Sequence, residues 1–483
     1  MHIANMLING EFVSSKDNSI FERYNPISGK LATKAAAAKI EDVEQAADAA
    51  ASAFPGWSST SPGERRRLLM KASEALKAKT SEIVDAMAAE IGTTESWALF
   101  NIGLAADMLL EAAALTTQIL GEIIPSNRPG TTALAVRQPA GVVLAMAPWN
   151  APIILGVRSV ATPLACGNTV IMKTSEICPK THALVIEALH DAGFPPGVIN
   201  SISNAPDDAP HIVETLIAHP AVRRINFTGS TRVGRIIAQT AARFLKPTLL
   251  ELGGKAPMLV LDDADLDLAV AAAAFGAYMN QGQICMSTER IIVHEKIADQ
   301  FVGKLATKVS TLIAGNPELN STPLGSVVDL GVAQRIQELV ADAVNKGSTI
   351  LAGGSANGTM IDATLLDGVT SSMRVYHEES FGPLASIIRV GSDDEAIRIA
   401  NDTDYGLASS VFSRNINRAM SVAKRIEAGI CHINGPTVHD EAQMPFGGTK
   451  ASGYGRFGGR AGIDEFTELR WITIQDGPLH YPI

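Results

Sequence analysis

From Gly141 onward, short apolar runs typical of buried strands alternate with helical segments. The first run, GVVLAMAP, is followed by a helical pattern from Pro152 to Ala165, and the alternation continues through NTVIMK, VINSIS, RRINFTG and TLLELGG. Parallel strands need long connections, usually helices, and helices on both faces bury such a sheet. The pattern therefore predicts an α/β protein with a twisted, mostly parallel sheet.

The regions around this alternation show other patterns. Residues 40–117 carry apolar positions at helical spacing, with Ser61 and Pro62 as a helix start. Two apolar runs between 121 and 136 are predicted to be strands joined by a turn, and TELRWITIQD near the end alternates like an exposed strand. A long helix from Leu266 to Met279 precedes a second α/β stretch over about 290–435.

Charge and cysteine content exclude several classes of protein. The net charge is −10, which argues against nucleic acid or an anionic membrane as a partner. The four cysteines are widely spaced without a CxxC, as in reduced cytoplasmic proteins, and the histidines lack metal-ligand spacing, so no metal site is expected. The uncharged stretch from Gln138 to Val157 contains three prolines, which fit a strand and turn better than a membrane span.

Two glycine-containing segments are candidates for binding a phosphate. The GxGxxG at residues 453–458 is rejected, because too little chain follows it for a dinucleotide-binding βαβ unit. INFTGSTRVG, residues 225–234, predicts a strand, a turn at Gly229 and Ser230, and then a helix whose N-terminus favours an anion. By spacing alone, an ordinary turn with Ser230 or Thr231 as helix cap explains this segment better than a phosphate site does.

Three polar residues are candidates for catalytic roles. Cys285 follows a helix between apolar neighbours, where it is either a nucleophile or an inert core residue. Glu251 ends an apolar strand, where burial would raise its pKa towards that of a general base, unless it is an ion-pair partner. Asn150 follows another buried strand, and is either an oxyanion donor or a turn residue.

Taken together, these segments resemble the aldehyde dehydrogenase superfamily over essentially the whole chain. The motifs that carry the resemblance occur in order: PWN (148–150), MKTSE (172–176), FTGS (227–230), LELGGK (250–255), GQIC (282–285), EESFGP (378–383) and PFGGTKASGYGR (445–456). Seven motifs in the family's order are a specific match. The resemblance resolves the alternatives above in favour of function.

The resemblance implies a role at each matching position. Cys285 is the expected nucleophile, Glu251 the base that activates water, and Asn150 an oxyanion donor together with the Cys285 N–H. The expected cofactor is NAD, with an acidic residue at 176 repelling the 2′-phosphate of NADP. The implied cofactor-binding residues are Trp149, Lys173, Glu176, Gly229, Ser230, Glu379 and Phe381.

The resemblance also implies three structural parts and an oligomer. Residues 1–120 and 140–253 are expected to form an NAD-binding domain, and residues 254–450 an α/β catalytic domain. Residues 121–139 and 466–483 are expected to pair as a small β arm, which would make the chain a homodimer or homotetramer.

Within the family, the chain is most similar to bacterial dehydrogenases of aromatic aldehydes, so the expected substrate is salicylaldehyde, with benzaldehyde or vanillin as alternatives. On the helix after PWN, Arg158 replaces an aromatic residue of many aliphatic-aldehyde relatives, and small Ala151 leaves room for a ring. We hypothesise that Arg158 attracts a phenolic oxygen, although it is equally explained as an ion-pairing arginine. The expected apolar walls of the pocket are Ile284, Met286, Trp97 and Phe446.

Two rival functions are weighed against this one. A CoA-acylating dehydrogenase of the same fold would hand its thioester to CoA and would not need Glu251. A non-catalytic family member would not need nucleophile, base and oxyanion donor together, whereas all three are present.

Overall fold

The computed structural model describes residues 3–319 and 321–483, which form two large sheets, two three-stranded sheets and two two-stranded sheets, together with the helices that pack on them. Helix α2 of the N-terminal part begins where the sequence predicts, because the Ser61 hydroxyl accepts the Glu64 N–H at 3.3 Å and Pro62 takes the first position. The elements of this part are β1 (Ile3–Ala4), β2 (Met6–Ile8), β3 (Glu11–Val13), β4 (Ile20–Tyr24), β5 (Leu31–Ala36), α1 (Ile40–Ser58), α2 (Pro62–Ala78), α3 (Thr80–Ile91), α4 (Glu95–Leu115), β6 (Glu122–Ile124) and β7 (Thr131–Pro139).

The middle of the chain shows the predicted alternation of strands and helices. Helix α5 contains Pro163. Helix α6 begins with Pro179, which suits this position because the N–H groups of a first turn have no partner within the helix and proline has no N–H. The elements are β8 (Val142–Met146), α5 (Pro152–Ala165), β9 (Thr169–Lys173), α6 (Pro179–Asp191), β10 (Ile199–Ile202), α7 (Ala209–Ala218), β11 (Val222–Thr228), α8 (Thr231–Arg243) and β12 (Thr248–Glu251).

The remaining chain builds the second large sheet and then returns to the first. Its elements are β13 (Ala256–Val260), α9 (Leu266–Tyr278), β14 (Thr288–His294), α10 (Glu295–Val309), α11 (Leu330–Asn345), β15 (Thr349–Ala352), β16 (Ala356–Asn357), β17 (Met360–Ile361), β18 (Thr364–Asp367), α12 (Arg374–His377), β19 (Leu384–Val390), α13 (Asp393–Asn401), β20 (Tyr405–Gly406), β21 (Ala408–Phe412), α14 (Ile416–Ala423), β22 (Ile430–Ile433), β23 (Thr449–Lys450), β24 (Gly453–Tyr454), α15 (Gly459–Phe466) and β25 (Thr467–Gln475).

The first large sheet has the strand order β24-β12-β11-β8-β9-β10-β2-β3. The five strands from β12 to β10 are parallel, whereas β24, β2 and β3 are antiparallel additions at the two edges. Alternate residues of β8 enter two separate hydrophobic clusters, so both faces of this sheet are buried, as the apolar runs predict. Since the strands are parallel, their carboxyl ends meet at one edge, and Asn150, Ser230 and Glu251 follow or end them there.

The second large sheet has the order β15-β18-β19-β14-β13-β21-β22 and is parallel except at β15. Residues 252–255 connect it to β12. The chain returns to the first sheet beside this connection: the Leu252 N–H donates to the Ser452 carbonyl at 3.1 Å, and the Ser452 hydroxyl donates to the Gly253 carbonyl at 2.6 Å. Ser452 therefore joins the outgoing and the returning chain.

A three-stranded antiparallel sheet of order β25-β7-β6 stands apart from the two large sheets. Strand β25 pairs with β7 from Thr467 opposite Pro139 to Gln475 opposite Thr131, the pairing that the family resemblance implies. Several large apolar side chains of this sheet are exposed, among them Trp471 at 76% and Ile123 at 78%. An apolar strand surface of this kind is rarely left uncovered in solution.

Helix α4 is long and apolar enough to cross a membrane by length and composition, although 56% of its most apolar window is buried inside the protein. It packs against α2 and α5, and core helices of water-soluble proteins meet the same two criteria. The stretch from Gln138 to Val157, which the sequence analysis considered for a membrane span, instead contains the end of β7, all of β8 and the start of α5.

Candidate active site

Cys285 lies on an irregular segment between α9 and β14. Asn280 and Gln281 just before it have φ values of 48° and 56°, a left-handed conformation that is uncommon outside glycine. Buried side-chain hydrogen bonds hold this segment: Asn280 accepts the Thr93 hydroxyl at 2.8 Å, and Gln283 accepts the Val328 N–H at 3.0 Å. Such backbone strain persists where the surroundings fix it, and it clusters at active sites.

Two glycines allow the close approach of backbone around Cys285. A Cβ at Gly254 would lie 2.1 Å from the Cys285 carbonyl oxygen, and a Cβ at Gly282 would lie 2.0 Å from the Gly382 carbonyl oxygen. Neither backbone atom could move aside as a flexible side chain could. The glycines of LELGGK and GQIC are therefore required by the packing of the Cys285 segment between its neighbours.

Asn150 is anchored beside this segment through both its backbone and its side chain. Its carbonyl accepts hydrogen bonds from the Trp97 indole N–H and from the Asn280 amide, each at 3.0 Å. Its own amide donates to the Gln283 carbonyl at 2.9 Å, and no other acceptor for it occurs within residues 3–319 and 321–483. Since an amide carries two N–H donors, one remains for an oxygen of a bound molecule.

Glu251 is buried at the end of β12, and neither of its carboxylate oxygens has a hydrogen-bond partner in the described part of the chain. Burial raises the pKa of this carboxyl to about 7, and Asp440 adds to the rise, while the Cys285 thiol and Arg158 oppose it. Burial and the nearby Glu251 likewise raise the pKa of the Cys285 thiol well above its ordinary value. The thiol is therefore neutral at rest, with a carboxylate nearby that is able to take its proton near neutral pH.

Two cavities meet at Cys285. One has a volume of about 250 Å³ and the other of about 330 Å³, and both are lined by Asn150, Leu155 and Cys285. Glu251 lines the first of them. Cys285, a partly exposed residue, thus lies where two different molecules, one in each cavity, would come together.

The 250 Å³ cavity contains most of the residues expected to bind the cofactor: Trp149, Gly229, Ser230, Glu379 and Phe381 line it. Ser230 caps α8 by accepting the Val233 N–H at 3.4 Å, so this end of the cavity is a helix N-terminus. Phe381 meets Trp149 edge to face at 5.7 Å. These contacts give the cavity one anion-favouring end and one aromatic end beside Cys285.

Lys173 and Glu176 do not line this cavity: Lys173 ends β9, and Glu176 follows it at the same edge of the sheet. Their side chains form an ion pair, and the Asn204 amide donates to Glu176 at 2.9 Å. The pair holds the carboxylate in place at the position where the resemblance implies contact with a ribose.

The loop that carries Glu379 and Phe381 is held by residues that the sequence analysis did not single out. Buried Lys255 pairs with Glu289, and Glu289 accepts the Phe381 N–H at 3.3 Å. Arg335 donates to the carbonyl oxygens of Glu379 at 2.7 Å and of Ser380 at 2.6 Å. Lys255 is a charged residue within the mostly apolar LELGGK motif, so its burial could have been predicted from the sequence. No pattern in the sequence marks Arg335.

The 330 Å³ cavity is lined by all five residues expected to contact the substrate, namely Trp97, Arg158, Ile284, Met286 and Phe446. The Arg158 guanidinium stacks over the Phe446 ring at 4.2 Å and forms a buried ion pair with Asp440. The ion-pairing interpretation of Arg158 thus describes its contacts in this structure, while contact with a substrate stays a prediction. Phe100, Phe275, Met279 and Asp440, which the sequence analysis did not name, complete much of the wall.

Comparisons with known proteins place this site in a family. Residues 12–472 match the model of the aldehyde dehydrogenase family. The chain is 59% identical to a vanillin dehydrogenase of a Pseudomonas species and 50% identical to a salicylaldehyde dehydrogenase of Pseudomonas putida, in each case over 99% of both chains. It is also similar, with a TM-score of 0.98 and 49% identity over the full length of both chains, to the crystal structure of a salicylaldehyde dehydrogenase from Pseudomonas putida complexed with salicylaldehyde. The fold and the resemblance predicted from the sequence are thereby confirmed: this chain belongs to the aldehyde dehydrogenase family.

Proposed function

We propose that this enzyme oxidises an aromatic aldehyde to the carboxylic acid with NAD, and that the aldehyde carries a hydroxyl group on its ring. The observation that carries the proposal is the position of Cys285, with Asn150 and Glu251, where the two cavities meet. A nucleophile, an oxyanion donor and a base are the groups that acyl chemistry on an aldehyde requires.

Cys285, Asn150 and Glu251 each have a separate role in the oxidation of the aldehyde. Glu251 takes the thiol proton, and the Cys285 sulfur attacks the aldehyde carbon to give a thiohemiacetal, whose oxygen is stabilised by the free Asn150 N–H. NAD, when bound, accepts the hydride that leaves this carbon. Glu251 then releases the thiol proton to solvent and becomes a carboxylate again. The thioester that remains on Cys285 is hydrolysed by water, whose proton Glu251 takes, with its pKa of about 7, and the carboxylic acid leaves the Cys285 sulfur.

The residues on the cofactor side fit a dinucleotide. The Ser230 end of the 250 Å³ cavity offers a helix N-terminus to the pyrophosphate, and the opposite end reaches Cys285. Burial, and the nearby Glu289, raise the pKa of Glu379 to about 8, while the Gly254 N–H, which donates to Glu379 at 2.7 Å, opposes the rise. A carboxyl group held in this way beside the cavity supports its proposed role at the nicotinamide ribose.

Glu176 is proposed to favour NAD over NADP by charge repulsion. We expect Glu176→Gln to lower the ratio of kcat/KM for NAD to that for NADP by roughly 10-fold, because a neutral amide no longer repels a 2′-phosphate. Asp191→Asn, which removes a carboxylate from the end of α6, should leave the ratio unchanged. An unchanged ratio in Glu176→Gln would contradict the assignment.

Asn150 is proposed to act on the rate and not on the stability of the fold. We expect Asn150→Ala to lower kcat by about 10²- to 10³-fold, the usual effect of removing one oxyanion donor. The backbone bonds from Trp97 and Asn280 do not depend on the side chain, so thermal unfolding should change little. Should KM rise while kcat stays unchanged, Asn150 would be a residue of substrate binding only.

An aromatic substrate is favoured by the second cavity and by the relatives. Trp97, Phe100, Phe275 and Phe446 line a space of about 330 Å³, and apolar walls of this kind suit a ring. The salicylaldehyde expected from the sequence and the vanillin suggested by the more similar relative both carry a hydroxyl group on the ring that bears the aldehyde. This shared feature defines the proposed substrate class.

A substrate panel tests the proposal directly. Initial rates of NADH formation should give a kcat/KM for benzaldehyde, vanillin and salicylaldehyde that exceeds the value for a short aliphatic aldehyde by about 10- to 100-fold, because the latter leaves the apolar walls uncovered. Equal values for aromatic and aliphatic aldehydes would refute the aromatic preference. Adding CoA should not change the rate or the product, because Glu251 activates the water that hydrolyses the thioester.

We also propose that the chain forms a homodimer or homotetramer in the cytoplasm. The exposed apolar residues of β25, with Trp471 and Leu469, would be covered by a second copy. The four cysteines are free, as expected in a reducing compartment. No nucleic acid and no membrane are proposed as partners.

A further inference from the structure

Asp440 lines the same cavity as Cys285 and offers one carboxylate oxygen that the protein does not use. Its Oδ2 pairs with Arg158, whereas its Oδ1 is buried and has no hydrogen-bond partner within the residues that the structure describes. Burial raises the pKa of the Asp440 carboxyl, while Arg158, and to a smaller extent the nearby Glu441 N–H, oppose the rise. The side chain is only 8% exposed, so bulk water does not readily satisfy this oxygen.

A buried acceptor without a donor is unusual in a protein, and a charged one more so. Most of the wall around Asp440 is apolar, with Ile154, Phe275 and Val438 among its residues. The donor for Oδ1 is therefore best supplied by a molecule that enters the cavity. A hydroxyl group is the smallest donor that fits such a site, and the proposed substrates carry one.

Arg158 is less suited to bind the ring oxygen directly. Its guanidinium is stacked on Phe446 at 4.2 Å and its charge is balanced by Asp440. A phenolate brought to Arg158 would lie beside the Asp440 carboxylate, where two negative charges repel each other. A neutral hydroxyl avoids this repulsion and donates to the carboxylate.

We propose that Asp440 is a specificity-determining residue whose Oδ1 accepts a hydrogen bond from the ring hydroxyl of the substrate, while Arg158 holds Asp440 in place. The inference rests on the proposed oxidation of aromatic aldehydes and adds the group that distinguishes hydroxylated from plain benzaldehydes. It also specifies the protonation state: the substrate binds as the neutral phenol.

The test compares benzaldehyde with its ortho, meta and para hydroxy derivatives and with the corresponding methoxy derivatives, using NAD and the full-length enzyme. For at least one ring position, the wild-type kcat/KM should be about 10- to 100-fold higher with hydroxyl than with methoxy, because methoxy has no proton to donate to a charged acceptor. Asp440→Ala should abolish this preference, so that kcat/KM falls about 10- to 100-fold more for the hydroxylated substrate than for benzaldehyde or the methoxy derivative, measured on the same variant. Glu441→Gln removes an adjacent, exposed carboxylate outside the 330 Å³ cavity and should keep the preference.

Several outcomes would overturn the inference. A wild-type enzyme without preference for hydroxyl over methoxy at any position would do so without any variant, and this keeps the test valid even if Asp440→Ala does not fold. Equal losses for hydroxylated and plain benzaldehyde in Asp440→Ala or Asp440→Asn would reduce Asp440 to a structural partner of Arg158. A higher kcat/KM for the hydroxylated substrate in Asp440→Ala would indicate that the substrate binds as a phenolate to Arg158, which no longer has its carboxylate partner. If no aromatic aldehyde yields NADH, the proposed function itself fails, which the benzaldehyde measurement reveals separately.

Discussion

Replacing Cys285 by alanine is expected to lower kcat for aldehyde oxidation by about 10⁴-fold or more, because no other group can form the covalent intermediate. The rate of NADH formation at saturating NAD and aldehyde measures this loss. The fold should survive, since Cys285 lies on a segment held by the bonds of Asn280 and Gln283 and its own side chain makes no structural hydrogen bond among the described residues.

Cys431→Ala is the matched control for this prediction. Cys431 belongs to β22 and is exposed at the surface, away from both cavities. The variant should keep wild-type kcat. Alkylation of the wild-type enzyme should abolish activity in parallel with modification of Cys285, and prior binding of NAD and a slow substrate should protect it. A Cys285→Ala variant with full activity would refute the mechanism.

Replacing Glu251 by glutamine is expected to slow the release of the acid by about 10²- to 10⁴-fold, the range that general-base catalysis contributes. Rapid mixing with NAD and aldehyde should then show a burst that approaches one NADH per site, followed by slow turnover. Hydroxylamine, which attacks a thioester without help from a base, should restore part of the turnover. The burst should also be slower than in the wild type, because Glu251 takes the thiol proton before the sulfur attacks. A burst at the wild-type rate would limit the role of Glu251 to the hydrolysis of the thioester.

The pH dependence provides an independent check on Glu251. Because burial raises the pKa of this carboxyl to about 7, the group is protonated below that pH and becomes a base above it. Wild-type kcat should therefore rise as the pH passes upward through about 7, and Glu251→Gln should lack this rise. Thermal stability should not fall in the variant, since a neutral amide is less costly to bury than a carboxylate without partners.

The parts of the structure that follow from local periodicity could be predicted from the sequence. The helix from Pro152 to Ala165 has the predicted bounds, and the helix after Ser230 begins where the sequence predicts, because a Pro or Ser start marks each of them clearly. The parallel sheet follows for the same reason, since apolar runs separated by helices leave few other arrangements. The carboxyl ends of these strands then place Asn150 and Glu251 on one side of the sheet.

The parts that depend on distant contacts could not be predicted from the residues alone. Spacing left Cys285 as either nucleophile or inert core residue, and only the ordered motifs of the family decided between them. The Arg158–Asp440 pair joins residues 282 positions apart, and no local pattern reports such a pair. Likewise, Arg335 reaches the loop of Glu379 from another helix, so its role becomes visible only when the chain is folded.

The hydrogen bonds of Ser452 to residues 252 and 253 affect how substrate and cofactor reach Cys285. The outgoing chain at Gly253 and the returning chain at Ser452 cross side by side between the two large sheets, and the Ser452 hydroxyl also accepts the Gly406 N–H at 3.0 Å. Closure about a hinge requires that the backbone dihedral angles of a few connecting residues change freely. Here the connecting residues are hydrogen-bonded to the returning chain at Ser452. Because these bonds oppose rotation of one large sheet against the other at residues 252–255, we expect access to Cys285 to depend on movements of loops and side chains around the two cavities.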